Sequence, residues 1–215
     1  MTIKMKRDQL APKKAENWRS NFKEEVKETF NLNVSDLIIQ KETYKTLIGE
    51  NENRLRVYLG LETNKTNGKY NLCAYAVSSF LLGSGDVYAD YETPVFKLGK
   101  ENINMSDNTN AVIESIHLYR KWRTGELDAD DKGALYRQYI YPNAYLLTKF
   151  ELHELFNIQD KAEIKIEFGI QKTMSAILSP VSSNLVAKTL DDPGEDYDYA
   201  SICPPHCDER SIYNT

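Results

Sequence analysis

Apolar and polar positions follow the same course twice along this chain. From Asp36 a short apolar run, Leu37-Ile38-Ile39, leads to a helical spacing at Tyr44, Leu47 and Ile48, and then to alternation at Leu55, Val57, Leu59 and Leu61. From Ala144 the order returns as Tyr145-Leu146-Leu147, then Leu152, Leu155 and Phe156, then Ile164, Ile166, Phe168 and Ile170, with Gly169 at the place of Gly60. A period near 3.6 marks a helix with one buried stripe, and a period of 2 marks a strand with one apolar face. One residue inserted between helix and strand aligns the two segments, Asp36 to Ser79 and Ala144 to Ser183. The first ends in a second strand, Tyr70 to Ser79, after Asn64-Lys65-Thr66-Asn67-Gly68, whose Asn-Gly pair suits a hairpin turn.

A helix is predicted ahead of each copy. Trp18, Phe22, Val26 and Phe30 fall at four-residue steps, and Val112, Ile113, Ile116, Tyr119 and Trp122 form a second stripe after a run of capping residues, Ser106 to Asn110. Each helix is expected to cover the copy that follows it. Between them, Val87 to Leu98 reads as extended and broken at Pro94, which cannot donate to a central strand. The predicted architecture is α+β: two duplicated β-α-β-β units with associated helices, mainly antiparallel, arranged about a pseudo-two-fold axis. Its parts are a polar segment at 1–14, repeats at 15–79 and 111–187, a connection at 80–110, and an acidic tail at 188–215.

Composition narrows the function. A formal charge of −5 argues against general nucleic-acid binding, which draws on lysine and arginine. No apolar run approaches the roughly 20 residues of a membrane-spanning helix, and no secretory segment opens the chain. Three cysteines are too few for a disulfide framework, which points to a reducing, cytoplasmic setting.

Catalytic templates mostly fail. His153-Glu154-Leu155-Phe156-Asn157 begins like a zinc-protease helix but has asparagine in place of the second histidine. Asp128 to Gly133 begins like a calcium loop, yet Tyr139 stands where the bidentate carboxylate belongs. Gly83-Ser84-Gly85 is too short for a nucleophile elbow. In the matched strands, the positions opposite the apolar sets are Arg54, Arg56, Tyr58 and Gly60 in one copy and Glu163, Lys165, Glu167 and Gly169 in the other, which reads as a varied surface over a common core. The tail ends in Cys203-Pro204-Pro205-His206-Cys207. Cys203, His206 and Cys207 are candidate zinc ligands, but a closed structural site needs a fourth. A local Cys203–Cys207 disulfide is the other reading in an oxidising setting, and a proline-stiffened docking peptide is the third.

The segment Leu55-Arg56-Val57-Tyr58-Leu59-Gly60-Leu61, with the terminal Cys-Pro-Pro-His-Cys, resembles a group of small Bacteroidota proteins that carry Gly-Ile-Arg-Ile-Tyr-Tyr-Gly and a terminal Cys-Pro-Pro-x-Cys. Leu55 departs from that pattern, and the second copy reads Lys165-Ile166-Glu167 in place of Arg-x-Tyr. The resemblance covers the first copy and the tail, and implies no activity. The function expected is that of a non-enzymatic interaction or scaffold protein without a cofactor. It would contact a protein partner or another copy of itself through Tyr197, Tyr199, Ile202, Cys203 and Cys207, and losing the tail would leave the fold intact. The alternatives are a metal-dependent enzyme or regulator and a small-ligand sensor with its pocket between the repeats.

Overall fold

The computed structural model describes residues 9–25, 32–64, 69–83, 87–127, 133–147, 149–172, 180–189, 196–198, 200–203 and 207–214, with the backbone alone at 9–10, 136, 139–140, 151 and from 171 to 203. In chain order the elements are β1 (Gln9–Leu10), α1 (Pro12–Glu25), β2 (Asn33–Val34), β3 (Leu37–Gln40), α2 (Lys41–Ile48), β4 (Arg54–Thr63), β5 (Tyr70–Leu81), β6 (Tyr88–Leu98), β7 (Ile103–Asn104) and α3 (Thr109–Thr124). They continue with α4 (Ala134–Ile140), β8 (Ala144–Leu147), α5 (Lys149–His153), β9 (Glu163–Lys172), β10 (Pro180–Thr189), β11 (Asp196–Asp198) and β12 (Ala200–Cys203). The protein is α+β with mainly antiparallel strands. One sheet has the order β1-β11-β10-β9-β3; the other runs β12-β8-β4-β5-β6-β7, with β2 parallel to β5.

Each β-α-β-β segment of the sequence forms those elements, but it does not keep them to itself. Short strand β3 pairs with long strand β9, Leu37 facing Ile166 and Ile39 facing Ile164. Reciprocally, β8 pairs with β4, Tyr145 facing Val57 and Leu147 facing Leu55. In the sequence alignment these are equivalent pairs in the same register. The hairpins correspond as well: Gly60 faces Cys73 and Gly169 faces Asn184. The helices also cross over. The expectation that each covers the copy it precedes is corrected: α1 packs on β9 and α3 packs on β4. Amphipathic spacing states that a face needs covering and is silent on which surface covers it.

The alternating sets Leu55, Val57, Leu59, Leu61 and Ile164, Ile166, Phe168, Ile170 are buried in one shared core with Phe22, Tyr44, Leu155 and Phe156. Trp18 is also buried, Ile116 and Tyr119 are fully so, and Ile113 is half-buried; Val26 and Phe30 lie outside the described residues. The other face of β4 is not the surface the alternation suggested. Arg56 and Tyr58 are 0% and 1% exposed, and Tyr58 belongs to a second cluster with Tyr75, Val77, Ile116 of α3 and Tyr213 near the C-terminus. A β-carbon on Gly60 would come within 2.5 Å of Ser115 Oγ and 2.8 Å of a Tyr75 ring carbon, so this glycine is what lets α3 lie close on the sheet.

Pro94 falls in an irregularity of β6: the register slips between the Val77–Val95 and Ser79–Asp90 pairs, as expected of a bulge. Asn102 closes the outer edge of β3. Its Nδ2 donates to the Ile38 carbonyl at 2.6 Å, and its Oδ1 accepts from the Gln40 amide at 2.9 Å. At the equivalent edge of β8 the partner is β12. The predicted caps before α3 make no side-chain cap; a 3-10 turn at Ser106–Asn108 leads into the helix instead.

Candidate functional site

The crossing of α1 onto β9 creates a cleft of about 570 Å³ between α1, residues 32–36 and β9. Asn21 anchors the helix by donating from Nδ2 to the Ile170 carbonyl at 2.9 Å. Arg19 and Phe22, three residues apart and so on one helix face, line the cleft. The floor is apolar: the rings of Phe22 and Phe168 have centroids 5.2 Å apart, beside the buried Leu32 and Ile166.

The rim is charged. Arg19 Nε approaches Glu167 Oε2 at 2.6 Å, at an angle poor for a hydrogen bond, so charge rather than alignment holds that contact. Lys165 Nζ bridges Asp36 at 3.1 Å and Glu167 at 3.4 Å. Burial alone would lower the Lys165 pKa, but the hydrogen bonds and charges of Asp36 and Glu167 outweigh it and raise it, which keeps the ammonium charged. With Lys23 also at the rim, three cations face two carboxylates among the described lining residues, a positive site on a negative chain. The outward positions Lys165 and Glu167 were visible in the sequence as strand alternation. Their partners Arg19 and Asp36 come from more than 125 positions away, a distance that periodicity does not span.

Tyr197, Ile202 and Cys203 of the tail lie in strands of the protein's own sheets. Tyr197 sits in β11, paired with Gln9 and Ala187. Ile202 and Cys203 sit in β12 opposite Tyr145 and Ala144. Their side chains, with Tyr199 and His206, fall outside the described residues. Cys207 is disulfide-bonded, so its sulfur is not a thiolate ligand in this state, while Cys73 is a buried free thiol. Among the described residues no group of three or more His, Cys, Asp and Glu side chains converges as a metal site.

Residues 207–214 dock onto the protein's own second core, and a polar network receives them. The side chains of Arg56 and Asp90 are each 1% exposed and meet at 2.7 Å. Asp90 Oδ1 also accepts from Ser79 at 2.6 Å, and Oδ2 from the Tyr58 hydroxyl at 2.5 Å. Tyr58 reaches on to Ser211 at 3.2 Å, and Asp208 accepts from the Asp90 amide at 2.8 Å. Tyr213 is buried, donates to the Glu92 carbonyl, and is gripped at its own carbonyl by Arg120 Nη2 at 2.7 Å.

These contacts predict an alkaline limit to stability. Burial, then the charges of Glu92 and Asp90, push Tyr213 up to about 12 from 10; burial, then Glu52, do the same for Tyr44. A phenol raised on folding contributes its full stability below pH 10 and loses it as the pH climbs toward 12, where only the unfolded chain ionises. Stability should be level below pH 10 and fall steadily above it. Denaturant midpoints recorded against pH check this, and a midpoint that stays level through pH 12 would contradict it.

No family model, curated protein or solved structure matches this chain. No helix among the described residues is long and apolar enough to cross a membrane.

Proposed function

We propose that this is a ligand-binding protein whose cleft between α1 and β9 takes a small amphipathic anion, an apolar chain or ring ending in an acid. The observation that carries the reading is a cleft within the size range of small-molecule sites, with an apolar floor under a rim of net positive charge. Its walls come from both halves of the chain, as a sensor pocket between the repeats requires. Medium-chain carboxylic acids should raise the thermal midpoint by mass action, and the corresponding alcohols should not. Lys23→Ala, at an exposed position that leaves the fold alone, is expected to weaken acid binding about fivefold, the worth of roughly 1 kcal/mol for one partly screened charge. An equal response to acid and alcohol would overturn the proposal.

A protein-interaction role has separate support in the β5–β6 hairpin. Leu81, Leu82, Val87 and Tyr91 are 41–56% exposed there, and Phe80 packs on Tyr91 with centroids 4.6 Å apart. If this patch mediates self-association, Leu81→Ser with Leu82→Ser should render an oligomer monomeric by light scattering without lowering the thermal midpoint.

The reciprocal strand pairings and helix crossings support an origin by duplication, with the halves related by a pseudo-two-fold axis. As to location, the low cysteine count favours the cytoplasm, whereas a disulfide at Cys207 is a bond type that persists in oxidising compartments. Thiol mass-tagging in intact cells separates the two.

A further inference from the structure

A second hollow, about 370 Å³, lies between α2 and α5 and is lined by Tyr44, Ile48, Glu52, Lys149, Phe150 and His153 among others. Its chemistry differs from that of the cleft. The helix begun by α5 widens into a π-helical turn at Glu154–Ile158, a feature frequent at functional sites. Four residues after His153, Asn157 returns to the same face, and its Nδ2 lies 2.8 Å from His153 Nδ1. An amide nitrogen donates and does not accept, which makes His153 Nδ1 the acceptor and places the proton of the neutral ring on Nε2.

His153 is exposed, so this N–H is available to a ligand. Lys149 stands four residues earlier, on the same helical face. Its contact with Glu52 is 3.7 Å long between side chains 56% and 65% exposed, a pair worth little in water and readily exchanged. Glu52 itself has φ +48°, a left-handed conformation uncommon for glutamate and enriched at ligand sites. Phe150, 63% exposed, places an exposed aromatic face in the lining of the hollow, with half-buried Ile48 also there.

We propose that this hollow is a binding site for an aromatic monocarboxylate. The carboxylate accepts from Lys149 Nζ and His153 Nε2–H, and the ring lies against Phe150. Glu52 across the site disfavours dianions by like-charge repulsion.

Titrating the full-length protein with phenylacetate, and with phenylacetamide as the uncharged match, tests this by NMR. Saturable shifts are expected at 149–153 and in the His153 ring, with the amide binding at least about tenfold more weakly. Ring nitrogen shifts of the free protein at alkaline pH should report the Nε2–H tautomer. Lys149→Ala and Phe150→Ala, both at exposed positions, should each weaken binding severalfold, and Lys23→Ala in the cleft should leave it unchanged. Equal binding of acid and amide, an Nδ1–H tautomer, shifts that map to the cleft, or no saturation by about 10 mM would each overturn the proposal.

Discussion

Replacing Arg56 by leucine is expected to cost about 3–5 kcal/mol of stability, the usual penalty for leaving one member of a buried ion pair without its partner. Asp90 would keep the Ser79 and Tyr58 hydrogen bonds, but its charge would be enclosed at 1% side-chain exposure with the guanidinium gone. Arg56 also donates from Nη2 to the Tyr88 carbonyl at 3.1 Å, so the substitution frees a strand acceptor as well. The doubly substituted Arg56→Leu, Asp90→Asn protein should regain part of the loss, because neutral asparagine removes the stranded charge while keeping an acceptor. Urea midpoints of the three proteins measure both effects. A single variant within about 0.5 kcal/mol of the parent, the range of ordinary surface changes, would show that water reaches this pair.

Tyr213→Ala should be comparably damaging, about 3–5 kcal/mol, through the lost burial of an aromatic side chain and the cavity it leaves. The ring packs on Tyr58 with centroids 5.5 Å apart, and its loss also frees the Glu92 carbonyl. Removing 207–215 altogether should cost at least as much. This reverses the expectation that the tail is dispensable to the fold: its last residues close the second core. A truncated protein with an unchanged unfolding midpoint would restore the view of a detachable tail.

The candidate chemistry of both hollows was visible only as fragments. His153 and Asn157 stood out in the sequence as a zinc-protease pattern with one ligand missing. The spacing did place them on one face, but the amide serves to orient the imidazole rather than to bind metal. Lys165 and Glu167 were recognisable as outward positions of a strand. Arg19 was hidden among the polar positions of a helix whose apolar stripe drew the attention. At the C-terminus, the acidic approach from Asp191 to Tyr199 suggested a docking peptide dispensable to the fold, while Ile212-Tyr213 after it was the overlooked sign of a segment with something to bury.

What the sequence determined by itself was local. Alternation at Leu55–Leu61 and Ile164–Ile170 and the helical spacings specified two β-α-β-β segments and the side of each long strand that faces the core, because a one-residue slip would turn an entire apolar set to solvent; the Asn67-Gly68 turn lies outside the described residues. Only the tertiary structure decided which segment satisfies which. Strands β3 and β8 and helices α1 and α3 all cross to the opposite half, and the second face of β4 meets another layer instead of water. Apolar periodicity encodes a demand for burial that any complementary surface can meet, and the choice among surfaces rests on contacts between residues far apart in the chain, 54 positions for Ser115 and Leu61, which no local pattern records.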